Sequence, residues 1–276
     1  GGVISIAVDA NLGANAGLAF NAGTLTITGS TAFSSAKNIT MNGAATITNN
    51  DSAGATFSGS ITNGSYLLTI NGTGNTTISG VIGSGSGGLT KADASTLTLS
   101  NVNTYTGNTS INGGTLAIEG VGKIYSTVNG AGPVITVNSN ATLVIDRWNF
   151  NGSLGTLYYD KTGLVVNGGT LKYSGSTNTM DYNNAARGFT VGASGATFET
   201  STAGVTWNFY RDTNTSYQAT FNGNVILTGA GNGVMQQVIN GTGNTVTKSG
   251  TGTWSLAGVN TYTGNTTINR SEEHTS

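Results

Sequence analysis

The chain repeats itself. Residues 90–112, TKADASTLTLSNVNTYTGNTSIN, and residues 247–269, TKSGTGTWSLAGVNTYTGNTTIN, align without a gap at a constant offset of 157, and VNTYTGNT is identical in both. A second string, INGTGNT, occurs at residues 70–76 and 239–245, an offset of 169. The first copy therefore carries 12 extra residues between the two strings, within the Gly/Ser-rich ISGVIGSGSGGL stretch at 78–89. A segment that loses a dozen residues without disturbing its neighbours is expected to be a loop or part of one turn of a repeating coil.

Weaker echoes run between the copies. Small-Thr-apolar triplets recur at Gly23-Thr24-Leu25, Ala45-Thr46-Ile47, Ala55-Thr56-Phe57, Gly114-Thr115-Leu116, Ala141-Thr142-Leu143, Gly169-Thr170-Leu171 and Ala196-Thr197-Phe198. From Leu97 the apolar members Leu97, Leu116, Leu143, Leu171 and Phe198 step by 19, 27, 28 and 27 residues, the period of a solenoid rung. Within a rung the pattern has period two, as in Thr24-Leu25-Thr26-Ile27-Thr28, which puts aliphatic side chains on one face and hydroxyls on the other. Asn-Gly, Gly-Gly and Gly-Asn steps between these short strands supply the positive φ angles of sharp corners. One such strand buries only a narrow stripe and becomes stable when the next coil stacks on it.

Composition agrees. There are 47 Thr, 33 Asn and 44 Gly among 276 residues, with 8% charged residues and a single Pro, Pro133. Gly, Asn and Thr each disfavour a helix interior, so a helical protein is excluded. The expected fold is all-β, a single elongated parallel β-helix over residues 1–269. Parallel stacking at about 4.8 Å pairs each backbone with the coils above and below and allows Asn and Thr ladders at the corners. A β-sandwich or up-and-down barrel would use similar strands but does not call for strings repeated at rung spacing.

Several chemistries drop out. Without Cys there is no disulfide scaffold, thiolate metal site or cysteine nucleophile. A net charge of −1 and scattered basic residues give no footprint for nucleic acid or an anionic membrane. The lone histidine, His274, lies beside Glu272 and Glu273 in RSEEHTS. This segment, residues 270–276, resembles the translation of a sequencing adapter and is read as a foreign tail, excluded from fold and site reasoning. Ser-His-Asp chemistry goes with it. NGTGNT and GSGSGG lack the carboxylates of calcium-binding repeats, and no cofactor is expected.

Residues 90–116 resemble the autotransporter-associated β-strand repeat of bacterial surface-protein passenger regions. The likeness rests on Lys91, the TLTLS strand ending at Leu99 and Ser100, the NTYTG string at 103–107 and the strand from Ile111 to Leu116; residues 187–200 resemble another coil of the same proteins. The resemblance implies a right-handed β-helix displayed at the cell surface, extracellular and associated with the outer membrane, with repeat copies near 70–116 and 239–269. It also implies that the chain meets a membrane only through a translocator that this sequence does not include.

One region breaks the monotony. Residues 146–221 hold 13 of the 21 aromatic residues, in clusters such as Asp146-Arg147-Trp148, Tyr158-Tyr159-Asp160-Lys161 and Phe209-Tyr210-Arg211-Asp212. Exposed aromatic rings beside Asp and Arg suit the apolar faces and hydroxyls of sugars, which makes Trp148, Tyr158, Tyr159, Asp160, Tyr182, Tyr210 and Arg211 the candidate glycan contacts. Glycan cleavage would need two of Asp146, Asp160, Asp181 and Asp212 within about 5–9.5 Å of each other. The plainer alternative puts Phe189, Phe198, Trp207, Phe209 and Phe221 in the core. The expected function is a non-enzymatic β-helical stalk that presents, or contributes to, adhesion and autoaggregation. Its expected partners are host or environmental glycans, surface proteins or further copies of itself; the alternative is a carbohydrate-binding or carbohydrate-cleaving β-helix.

Overall fold

The computed structural model describes residues 1–14, 17–83, 85–124, 133–148, 152–154, 161–179, 188–213, 215 and 218–269. Among them the regular structure is β-strand apart from the 3-10 turn Asp9–Leu12 and the 3-10 conformation at Thr215. The strands pair in parallel and form three faces around one core. A ten-stranded sheet runs from Gly2–Ile6 to Thr220–Phe221, and an eleven-stranded sheet from Phe33–Ser35 to Thr266–Ile268. The third face is assembled from sheets of four, two and three strands. One coil visits each face in turn, as Leu89–Lys91, Thr96–Leu99 and Val102–Asn103 do before Thr109–Ile111 returns beneath Leu89–Lys91. The molecule is a β-solenoid, and its ten-stranded sheet is about 45 Å long at ~4.8 Å per coil.

The leucine series read from the sequence is a single inward column. Leu97, Leu116, Leu143, Leu171, Phe198 and Leu227 are successive register partners on the eleven-stranded sheet, each at most 1% exposed. Their sequence steps are coil lengths, which vary because insertions leave at the corners and not within the strands. Burial of each such side chain contributes on the order of 1.5–3 kcal/mol, and it is realised only when both neighbouring coils are in place.

Outward residues form matching columns. On the ten-stranded sheet Thr24, Thr46, Thr69, Thr90, Ser110 and Thr136 follow one another in register. None of the outward strand positions described on this sheet is charged. The corner asparagines serve mostly as braces between coils. Asn38, Asn50, Asn75, Asn108 and Asn224 each accept, through Oδ1, a backbone N–H of the next coil. Side-chain pairs of the ladder type occur at Asn42–Asn21 and Asn138–Asn112. Asn is abundant because a corner leaves backbone donors outside the strand ladders, and an amide oxygen reaches them.

The two repeat copies lie on different faces. In the first, Leu89–Lys91 belongs to the ten-stranded sheet and Thr96–Leu99 to the eleven-stranded one; in the second, Val246–Lys248 belongs to the eleven-stranded sheet and Trp254–Leu256 to the third face. The dozen residues do not explain this: Ile82 and Ile239 are bonded alike by Asn103 and Asn260, so the coil before each copy has the same length, and the shift of face is already present at Leu68–Asn71 on the ten-stranded sheet against Val225–Thr228 on the eleven-stranded one.

Candidate functional site

The aromatic block has an inner layer and an outer one. Phe189, Phe198, Trp207, Phe209 and Phe221 alternate inward and are buried. Their rings pack edge to face or tilted, with Phe198 and Phe209 centroids 5.2 Å apart and Trp207 and Phe209 4.2 Å apart. Tyr173 joins them, stacked on Trp207 at 5.6 Å. Burial raises its phenol's pKa, the hydroxyl's bond to Thr177 opposes that rise, and the charge of Asp146 adds to it. These rings take places that leucine and isoleucine fill in earlier coils, as Phe198 does in the column above Leu171.

The outer layer includes a cleft of about 210 Å³, lined by Asp146, Arg147, Trp148, Tyr173, Thr177, Asn178 and Thr179. It forms where the chain leaves the strand Ala141–Ile145 and turns the corner. Trp148 is half-buried, edge-on to Trp207 at 5.3 Å and tilted against Phe209 at 5.4 Å. Asp146 accepts bonds from the Gly120 N–H at 2.7 Å, the Ser153 hydroxyl at 2.8 Å and Arg147 Nε at 3.2 Å. Arg147 Nη2 donates to the Gly122 carbonyl at 2.6 Å, and Tyr173 donates to the Thr177 carbonyl at 2.8 Å. Asn178 and Thr179 accept the N–H groups of Thr206 and Asn208 on the next coil, both at 2.7 Å. Each of these polar side chains is thus tied to backbone or to a neighbour in the corner, and Asp146 and Arg147 brace one coil against the one before.

Of the predicted contacts, Trp148 lines this cleft, while Tyr210 and Arg211 lie at the far end of the strand Thr206–Phe209 on the third face. The Tyr210 carbonyl accepts from buried Gln237, and exposed Arg211 donates to Gln218 at 3.1 Å. Asp212 follows Arg211, so it and Asp146 belong to different corners and different coils. Tyr158, Tyr159, Asp160, Asp181 and Tyr182 lie outside the described residues, as does the tail at 270–276. The cleft's remaining wall, Tyr173 and Thr177 to Thr179, was not singled out from sequence for contact with a ligand. Tyr173 reads there as one more inward strand residue, and its hydroxyl's place at the corner is fixed only by the coil that follows. A second hollow, about 260 Å³ and mostly apolar, lies on the first coil beside Ile4, Leu12, Leu18 and Phe20 and is the inward stripe of that coil. Among the described residues no three His, Asp or Glu side chains converge.

Two segments, residues 89–118 and 246–270, match the Passenger-associated-transport-repeat family. The chain is also similar to the Adhesin BmaC autotransporter of Brucella suis biovar 1 (strain 1330), 33% identical over 180 residues, which is 65% of this chain. It spans only 4% of that much longer relative. No solved structure matches it. The chain carries autotransporter passenger repeats, and the similarity supports an extracellular, cell-surface location.

Proposed function

We propose that residues 1–269 form one structural, non-enzymatic segment of a surface-displayed adhesin, a stalk that presents or contributes to adhesion and autoaggregation, and that residues 270–276 are foreign to it. The observation that supports this reading best is where the polar side chains go. At the cleft and the corners, carboxylate, guanidinium and amide groups are consumed in joining coil to coil, whereas the ten-stranded face carries a column of uncharged hydroxyls and the charges on the eleven-stranded face include the cross-coil pair Lys172–Glu199 at 2.7 Å. Asp146, the one carboxylate lining the cleft, accepts three hydrogen bonds from its own chain, one of them from Gly120 on the preceding coil. A hydroxyl-covered rod without strong charge is hydrated and unselective at long range, which suits spacing and weak, multiply repeated contact with glycans, surface proteins or other copies.

A second reading keeps the aromatic segment as a glycan contact through Trp148, Tyr158, Tyr159, Asp160, Tyr182, Tyr210 and Arg211. The half-exposed Trp148 beside the cleft favours it. A glycan array with the purified chain separates the two. The stalk reading predicts no saturable signal, together with settling of beads coated with the chain. It is overturned by saturable binding that Tyr159→Ala or Arg211→Ala abolishes while leaving the melting temperature unchanged. Trp148→Ala is the poorer probe, because the ring also packs on the core.

A further inference from the structure

Coil length is not shared evenly among the corners. Where the chain passes from the third face back to the ten-stranded sheet, five residues lie between Thr62 and Leu68, between Gly83 and Leu89 and between Asn103 and Thr109. In the next four coils nine or ten do, between Ile124 and Ile135, Leu154 and Leu164, Thr179 and Thr190, and Phe209 and Thr220. These anchors are stacked. Ile124 N–H bonds to the Ser153 carbonyl and Thr179 N–H to that of Thr206 on one side; on the other Ile135 pairs with Leu164, and Val165, Thr190 and Thr220 follow in register. Four long spans therefore leave one above another at a single corner, in steps of ~4.8 Å. The structure describes residues 133–134, 161–163, 188–189, 210–213, 215 and 218–219 of them; for the rest the flanking strands fix the corner and nothing more. The last span is pinned at its base by buried Gln237, which donates to the Tyr210 carbonyl and accepts the Ala219 N–H at 2.9 Å, while Arg211 donates to Gln218 at 3.1 Å within it. The second is held on its return by Thr190, whose hydroxyl donates to the Lys161 carbonyl at 2.8 Å.

What these spans carry sets them apart. They hold six of the ten tyrosines, Tyr125, Tyr158, Tyr159, Tyr182, Tyr210 and Tyr217, and Asp160, Asp181 and Asp212 are balanced by Lys161, Arg187 and Arg211. Tyr and Arg supply much of the energy at contact surfaces, and tyrosine-rich loops on a rigid frame lose little freedom when they bind. A strongly charged partner finds no complement in a corner of zero net charge. A second copy does, because a contact of like with like has to be self-complementary, and the adjacent opposite charges of Asp160-Lys161 and Arg211-Asp212 make it so. We propose that this corner is the surface through which two copies of the chain associate side by side, tyrosines burying the area and acid–base pairs between copies setting the fit. This deepens the autoaggregation part of the reading above and rests on it.

Charge inversion tests this whichever way the two copies are oriented. An acidic variant, Lys161→Asp with Arg211→Asp, and a basic one, Asp160→Lys with Asp212→Lys, leave the buried anchors untouched and should melt at the native temperature. In sedimentation of the full chain the native protein is expected to associate as concentration rises, and more weakly at high salt. Each variant alone should associate at least about tenfold more weakly, and an equimolar mixture of the two should recover native association. Lys172→Asp alters charge on the eleven-stranded sheet, away from this corner, and should leave association unchanged. Native-like association of either variant alone, no recovery in the mixture, or an equal loss in Lys172→Asp would overturn the proposal and leave autoaggregation to another surface. A native chain that stays monomeric at every concentration overturns it too; whether coated beads then settle decides if the autoaggregation reading falls with it.

Discussion

At the scale of single residues, a side chain's polarity says little about where it points. Lys91 occupies an inward position and is fully buried. Burial lowers its pKa to about 8, with Asp93 pulling the other way. Because the folded value lies below the unfolded one, the cost of the buried charge is present below pH 8 and is lifted as pH rises toward 10.5. The native chain should therefore gain on the order of 1 kcal/mol of stability between pH 8 and 9.5, a gain smaller in Lys91→Met; denaturant melts at the two pH values measure it. The window stops short of 10 because the buried phenols of Tyr105 and Tyr173, both raised by burial, reverse the trend above the ordinary tyrosine pKa. Gly233 gives a second residue-scale test. It lies in register between Trp207 and Trp254, and a Cβ there would sit 2.4 Å from the Trp254 ring. Gly233→Ala should cost about 1–3 kcal/mol and shift tryptophan fluorescence, since moving the ring strains its Nε1 bond to the Thr228 carbonyl and its packing on Phe209.

At the scale of strands, alternation does most of the work, and this is the part most legible from sequence. Thr24-Leu25-Thr26-Ile27 could be assigned inside and outside by period alone, and the steps from Leu97 to Phe198 turned out to be one column of contacts. The contrast within one strand is a test. Leu143→Ala, which opens a cavity between Leu116 and Leu171, should cost about 2–5 kcal/mol, whereas its outward neighbour Thr142→Ala should change stability by no more than about 0.5 kcal/mol. Equal effects in equilibrium unfolding would mean that the strand has no buried face. What the sequence did not reveal is the face each repeat copy joins. Two identical strings have identical local preferences, and the face is decided by how many strands the intervening chain has already made. The cleft was half-legible for a similar reason: Asp146, Arg147 and Trp148 are adjacent in sequence, but Tyr173 and Thr177 to Thr179 reach them from the next coil.

At the scale of the molecule, the solenoid converts sequence into height. Only 8% of the 276 residues are charged, among the described residues no three His, Asp or Glu side chains gather, and most of the regularity goes into making each coil a lid for the last. Stability is then a sum over neighbours, so damage to one coil is felt locally, and length can be added without redesign of the core. The most direct test uses spin labels on the outward column that begins at Thr24, with partners at Thr69, Thr136 and Thr220 two, five and eight coils away. Stacking predicts backbone separations of about 10, 24 and 38 Å, rising by ~4.8 Å per coil whatever the number of residues between the labels. Separations that fail to rise along the column, or a Thr24–Thr220 distance no longer than Thr24–Thr136, would contradict it.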